Sequence, residues 1–217
     1  NICRSSRKDV RDAVIAARGA VGGWAGRSAF NRGQILYRIG EMLEGRSAQF
    51  VHELMLHGAT QKQAEAAVAA AIDRWVHYAG WCDKYQAVFS SVNPTNSSHF
   101  NFSVYEPTGV VGIMSGGSNG LLELVSLIAP VIAGGNTCVV VASEKHPLPA
   151  VTFTEVLATS DLRDAEPLEA MVAQATGVKL KFTFGGTMES TEAVLTGTAT
   201  TRRVGLPTGT VGTDGLG

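Results

Sequence analysis

The stretch EPTGVVGIMSGGSNGLLELVSLIAPVIAGGNTCVVVASEKHPL, residues 106–148, constrains the fold of this chain more than any other part. A short apolar run (Val110 to Met114) meets a glycine-rich turn, then a helical run (Leu121 to Ala133), then a second apolar run (Cys138 to Ala142). Strand, helix, strand with only a short turn at each junction requires parallel pairing through a crossover helix. The segment therefore predicts an α/β fold containing a βαβ unit of the nucleotide-binding type.

The flanking sequence supplies helices. Val10, Val14, Ile15 and Ala17 recur at helical spacing from Lys8 to about Ala20, and Gly22 and Gly23 are expected to end that run. A second helix from near Arg27 to Gly45 places Phe30, Leu36, Ile39, Met42 and Leu43 on one face. Phe50, Val51, Leu54 and Met55 predict a short third helix closed by Gly58. From Gln61 to about Tyr85 an alanine-rich run predicts one long helix with Ala67, Ala71, Trp75, Tyr78 and Cys82 on its buried side. His99 to Tyr105 alternates polar and aromatic, as a strand does. Ala150 to Ala158 predicts a further helix, and weaker patterns suggest a helix over Glu169 to Ala175 and a strand over Lys179 to Phe184. The expected organisation is one domain over 1–196 and an irregular Gly/Thr-rich tail over 197–217.

Charge and cysteine usage narrow the function classes. A formal net charge of −1 leaves no electrostatic footprint for nucleic acid, and no apolar run is long enough to span a bilayer. Cys3, Cys82 and Cys138 are widely spaced, without a CxxC pair, which speaks against a disulfide scaffold or a zinc site. The expected location is the cytoplasm or another reducing compartment. A chain opening at Asn1 instead of Met reads as the edge of a processed or incomplete polypeptide, in which a targeting segment would not be seen.

Several constellations invite a chemical reading beside a structural one. Gly116-Gly117-Ser118-Asn119-Gly120 fits a phosphate cradle at a helix N-terminus and equally a tight turn, since its spacing is not GxGxxG. Ser143-Glu144 stands where a βαβ unit places an acidic group for a ribose hydroxyl, and equally where a helix takes its N-cap. Gly134-Gly135-Asn136-Thr137 reads as a helix cap and strand start. Cys82 and Cys138 read as buried structural thiols, and the five histidines, which show no metal-ligand spacing, as solvated or capping groups.

Taken together, EPTGVVGI, APVIAGGNTCVVVASEKHPL, RGQILYRIGEML and the helices around them resemble the N-terminal half of the NAD(P)-dependent aldehyde dehydrogenases, over about Lys8 to Leu162 and more weakly to Gly186. The resemblance implies an N-terminal helical layer on a Rossmann-like parallel sheet, with NAD or NADP as the family's cofactor. It implies cofactor contacts at Met114, Ser115, Gly116, Ser143, Glu144, Gly185 and Gly186. YAGWCDKYQAVFSSVNP, TSDL at Thr159 to Leu162, and Phe182 to Gly186 are most similar to a divergent branch that includes the non-catalytic second domain of tandem two-domain members.

Departures from the family pattern carry equal information. Aligned without gaps, the family's Pro-Trp-Asn falls on Gly116, Gly117 and Ser118, so the asparagine that stabilises the oxyanion is replaced by a shorter serine, and Asn119 could substitute only if the register slips by one. Loss of one such donor typically costs about 10²–10³ in rate. Its Lys-Pro-Ser-Glu falls on Val141, Ala142, Ser143 and Glu144, so the ribose-contacting lysine is replaced while the glutamate survives. Leu162 to Phe182 is shorter than the family pattern and lacks one of its strands. The family's nucleophilic cysteine and general-base glutamate fall beyond this chain, so no catalytic residue and no catalytic domain are expected within it. Two functions follow: a non-catalytic, structural or assembly domain with a protein partner or a second copy, or the cofactor-binding half of a working aldehyde dehydrogenase.

Overall fold

The computed structural model describes residues 5–115, 120–143 and 146–159. The expected helix over 169–175, the strand over 179–184 and the tail lie outside the described residues. Helix α1 (Arg7–Ala25) opens with a capping box, Ser6 accepting from the Asp9 backbone N–H while Asp9 accepts from the Ser6 backbone N–H. It does not end at Gly22 and Gly23 as the sequence predicted. Trp24 holds the extra turn in place: it is fully buried, and its indole N–H donates to the Ile132 carbonyl at 3.0 Å. That anchorage outweighs the helix cost of two glycines, about 1 kcal/mol each.

Helices α2 (Ala29–Gly45), α3 (Ser47–Leu56) and α4 (Gln61–Ala79) form the helical layer. Leu36, Ile39 and Leu43 face the core as expected, but Phe30 sits in the first turn of α2, beyond the reach of the α4 contact, and is 70% exposed. Met55 is likewise exposed. Gly33 explains how closely α2 crosses α4, because a Cβ there would stand 3.0 Å from the Ala79 carbonyl. The long helix expected to reach Tyr85 stops at Ala79. A turn follows, in which Cys82 is buried, and then the short α5 (Lys84–Phe89).

Next comes an antiparallel pair, β1 (Ser91–Asn93) and β2 (Asn101–Ser103), in register Ser91↔Ser103, Val92↔Phe102 and Asn93↔Asn101. The expected strand over 99–105 is thus shortened to three residues, and its partner β1 lies in a stretch whose Ser/Asn/Thr texture hid it.

The βαβ unit forms as predicted. Strand β3 (Val110–Met114), helix α6 (Gly120–Ala133) and strand β4 (Thr137–Val141) give a parallel pair in register Val110↔Thr137 through Met114↔Val141. Period-two alternation splits the sheet into two covered faces. Val139 packs with Ala13, Ala17 and Val110 under α1. Cys138, Val140 and Ile113 point the other way, into the core that α6 shares with α2, α4 and α7 (Leu148–Thr159). There Trp75 stacks on Phe153 with ring centroids 5.8 Å apart. The described part therefore has the helical layer on a parallel sheet that the sequence predicted.

Candidate cofactor-type site

The two ends of the parallel pair are built differently. At the amino end the main chain is held by a dense set of hydrogen bonds. Gly135 takes φ +81°, the left-handed value that closes α6, and donates its N–H to the Ile132 carbonyl at 2.9 Å. Asn136 then joins helix to strand: its Oδ1 accepts the Gly109 N–H at 3.0 Å and its Nδ2 donates to the Val131 carbonyl at 3.3 Å. Thr137 donates its hydroxyl to the Ala17 carbonyl at 3.0 Å. The buried guanidinium of Arg32 lies against this turn, its Cζ 3.8 Å from where a Cβ of Gly135 would stand, and donates to the Arg27 carbonyl at 2.6 Å. The cap and strand-start role expected for Gly134 to Thr137 is what the geometry gives. The participation of Arg32 carried no sequence signal, because it lies about a hundred residues away along the chain, with α3, α4 and α5 in between.

At the carboxyl end, where a βαβ unit offers its ligand crevice, the structure brings Met114, Ser115 and Ser143 together. Met114 ends β3 with its side chain 66% exposed, opposite Val141. Ser115 continues the ladder by donating its N–H to the Val141 carbonyl at 3.0 Å, and both Ser115 and Ser143 are buried. Gly116, Glu144, Gly185 and Gly186 lie outside the described residues. Helix α6 begins at Gly120, where an added Cβ would stand 3.3 Å from His146 Cβ and 3.7 Å from Pro149 Cγ.

The two described thiols are not nucleophiles. Cys138 is fully buried in β4, and burial pushes its thiol up to about 12. Burial likewise raises Cys82 to about 11, against the opposing charge of Arg32. Its Sγ is 3.4 Å from the Tyr78 carbonyl, to which it donates. Both are free of disulfides, in keeping with the structural role expected of them.

Among the described residues no group of three or more His, Cys, Asp or Glu is placed to hold a metal ion, and no helix is long and apolar enough to cross a membrane. Two histidines distant in sequence nevertheless meet. His57 caps α3, and His146 precedes α7; their ring centroids are 5.1 Å apart on the wall of a cavity of about 580 Å³.

A helical layer covering a parallel βαβ unit, with a glycine-capped crossover helix, defines a dinucleotide-fold domain of the Rossmann-like class. Comparison with known proteins then fixes the family. The model of the aldehyde dehydrogenase family matches residues 1–174, and the chain belongs to that family. It is 32% identical over 163 residues to the human cytosolic 10-formyltetrahydrofolate dehydrogenase, covering 71% of this chain and 18% of the relative. It is 32% identical over 156 residues to an aldehyde dehydrogenase of Aspergillus niger, covering 70% and 31%. Among solved structures, a putative aldehyde dehydrogenase from Burkholderia cenocepacia superposes with a TM-score of 0.71 at 27% identity, covering 79% of this chain and 35% of that one. Glyceraldehyde-3-phosphate dehydrogenase from Methanocaldococcus jannaschii, complexed with NADP, superposes with a TM-score of 0.75 at 23% identity, covering 82% and 38%. The chain thus spans between 18% and 31% of the length of these curated relatives.

Proposed function

We propose that this chain is an aldehyde-dehydrogenase scaffold whose dinucleotide site has been degraded, and that it serves a structural role in a larger assembly. The observation that carries the reading is Val141 at the carboxyl end of β4. The family resemblance places there a lysine that hydrogen-bonds the adenosine ribose. A charge-assisted hydrogen bond of that kind contributes roughly 1.5–3 kcal/mol, and valine has no donor to replace it. Across the ladder Met114 adds no charged or hydroxyl group, while Ser115 and Ser143 are buried. The described strand ends therefore offer no charged group and no exposed hydroxyl to a dinucleotide.

The likeness of the 78–94 segment to a non-catalytic branch of the family supports the same reading. Exposed apolar groups along α5 and the β1–β2 pair, among them Val88, Phe89, Val92 and Phe100, favour a protein partner or a second copy of the chain. The buried, unpaired thiols Cys82 and Cys138 suit the cytoplasm or another reducing compartment.

The second reading, the cofactor-binding half of an NAD(P)-dependent aldehyde oxidoreductase, is favoured by the intact parallel β3–β4 register, the strand pairing on which a βαβ cofactor crevice is built. Calorimetric titration of NAD⁺ and NADP⁺ into the purified chain, paired with light scattering, separates the two. No binding at millimolar dinucleotide, from a chain that self-associates or forms a stable complex, is the expected result. Micromolar binding overturns the degraded-site reading.

A further inference from the structure

We propose that His57 and His146 form a two-imidazole site for a divalent transition metal of the zinc type on the wall of the cavity between α3, α4 and the start of α6. The fold makes this pair. His57 is fixed at the end of α3, where its backbone N–H donates to the Leu54 carbonyl. His146 is fixed against the first residue of α6: its Cβ lies 3.3 Å, and its carbonyl oxygen 3.5 Å, from where a Cβ of Gly120 would stand. Both rings are half-buried.

The spacing of the rings permits shared coordination. A Zn–N bond of about 2.0–2.1 Å plus about 1.1 Å from ring nitrogen to ring centre puts each centroid about 3.2 Å from the metal. Two such rings at the tetrahedral angle have centroids about 5.2 Å apart; the observed separation is 5.1 Å, with the planes inclined at 62°.

Protonation is arranged in the same sense. The Nδ1 of His57 is 2.8 Å from the Glu53 carbonyl oxygen. A carbonyl only accepts, so Nδ1 donates here, and in the neutral ring this leaves Nε2 with its lone pair. A metal-binding histidine is commonly oriented in this way, its second nitrogen donating to a backbone carbonyl.

The cavity accounts for the remaining positions. Its other polar wall group, Gln63, already has its Oε1 engaged by the backbone N–H and hydroxyl of Thr60. With two protein donors, the other coordination positions open onto a space of about 580 Å³ and take solvent or an oxygen or nitrogen donor from outside. Such a metal would tie α3 to the segment between β4 and α7. Sequence inspection alone could not pair the two rings, since each is a lone histidine in its own segment.

The test is titration of the metal-free full chain with Zn²⁺ by calorimetry, and with Co²⁺ by visible absorption, against His57→Ala, His146→Ala and, as a control, His52→Ala on the exposed side of α3. One saturable site is expected, with the intense absorption of tetrahedral Co²⁺ and a rise in melting temperature on adding Zn²⁺. Affinity should fall by at least roughly 10-fold in each of the first two variants and not in the third. Circular dichroism and His146→Asn guard against a variant that merely misfolds. Absence of saturable binding by the native chain, or binding unchanged in folded His57 and His146 variants, overturns the proposal.

Discussion

The amino and carboxyl ends of the β3–β4 pair are separated by strands only five residues long, yet they are built on different principles. At the amino end Trp24, Asn136, Thr137 and the left-handed Gly135 tie α1, α6 and both strands through buried hydrogen bonds. At the carboxyl end an exposed methionine faces a valine, and the neighbouring hydroxyls are buried. The first end holds the helical layer to the sheet; the second is where the resemblance places the family's cofactor contacts. This contrast separates what the fold requires from what a dinucleotide would require.

Substitutions sharpen the contrast by their size. Trp24→Ala removes a fully buried ring and its hydrogen bond to Ile132. It is expected to destabilise the chain by about 3–5 kcal/mol, read as a shift of the chemical-denaturation midpoint. A loss below about 1 kcal/mol would mean that α1 is not anchored to the sheet as described.

Alkaline pH should act on the same buried structure. The Cys138 thiol is raised from 9.0 to about 12, so the unfolded chain releases this proton first. Its contribution is complete below pH 9.0 and is lost as pH rises through about 12, on the order of 4 kcal/mol. Cys82, raised to about 11, adds in the same direction. Stability measured against pH should fall less steeply in Cys138→Ala; identical slopes would refute the assignment. In a Cys3→Ser background, both remaining thiols should resist a disulfide reagent until the chain is unfolded.

Gly135→Ala is the intermediate case. The left-handed backbone alone disfavours a side chain by about 1–2 kcal/mol, and the added Cβ would meet Pro107 Cγ at 3.0 Å. A melting temperature equal to that of the native chain would show that the turn relaxes freely. Met114→Ala, at the opposite end, should change stability by no more than about 0.5 kcal/mol, because the side chain is 66% exposed. A loss as large as that of Gly135→Ala would erase the distinction between the two ends.

The same contrast explains what was legible in the sequence. The βαβ unit was, since its strands are covered on both faces and read as unbroken apolar runs. Gly134 to Thr137 was legible because a helix cap has a local signature. What depended on contacts distant along the chain was not. Trp24 carries α1 past two glycines only because Ile132 is there to receive it, and Phe30 looks like a core residue until α2 is seen to tilt it into solvent. β1 pairs in a polar stretch that shows no alternation. At the carboxyl end, residue type showed where the chain departs from the family pattern, whereas the burial of Ser115 and Ser143 needed coordinates.

The central claim is that Val141 marks the loss of a dinucleotide contact on an otherwise intact scaffold. Its most direct test is a fluorescence titration of NADH and NADPH against the native chain and Val141→Lys. The account predicts negligible binding by the native chain and a gain of about 10- to 150-fold on restoring the lysine, the equivalent of 1.5–3 kcal/mol. Micromolar binding by the native chain, unchanged in Val141→Lys, would contradict it.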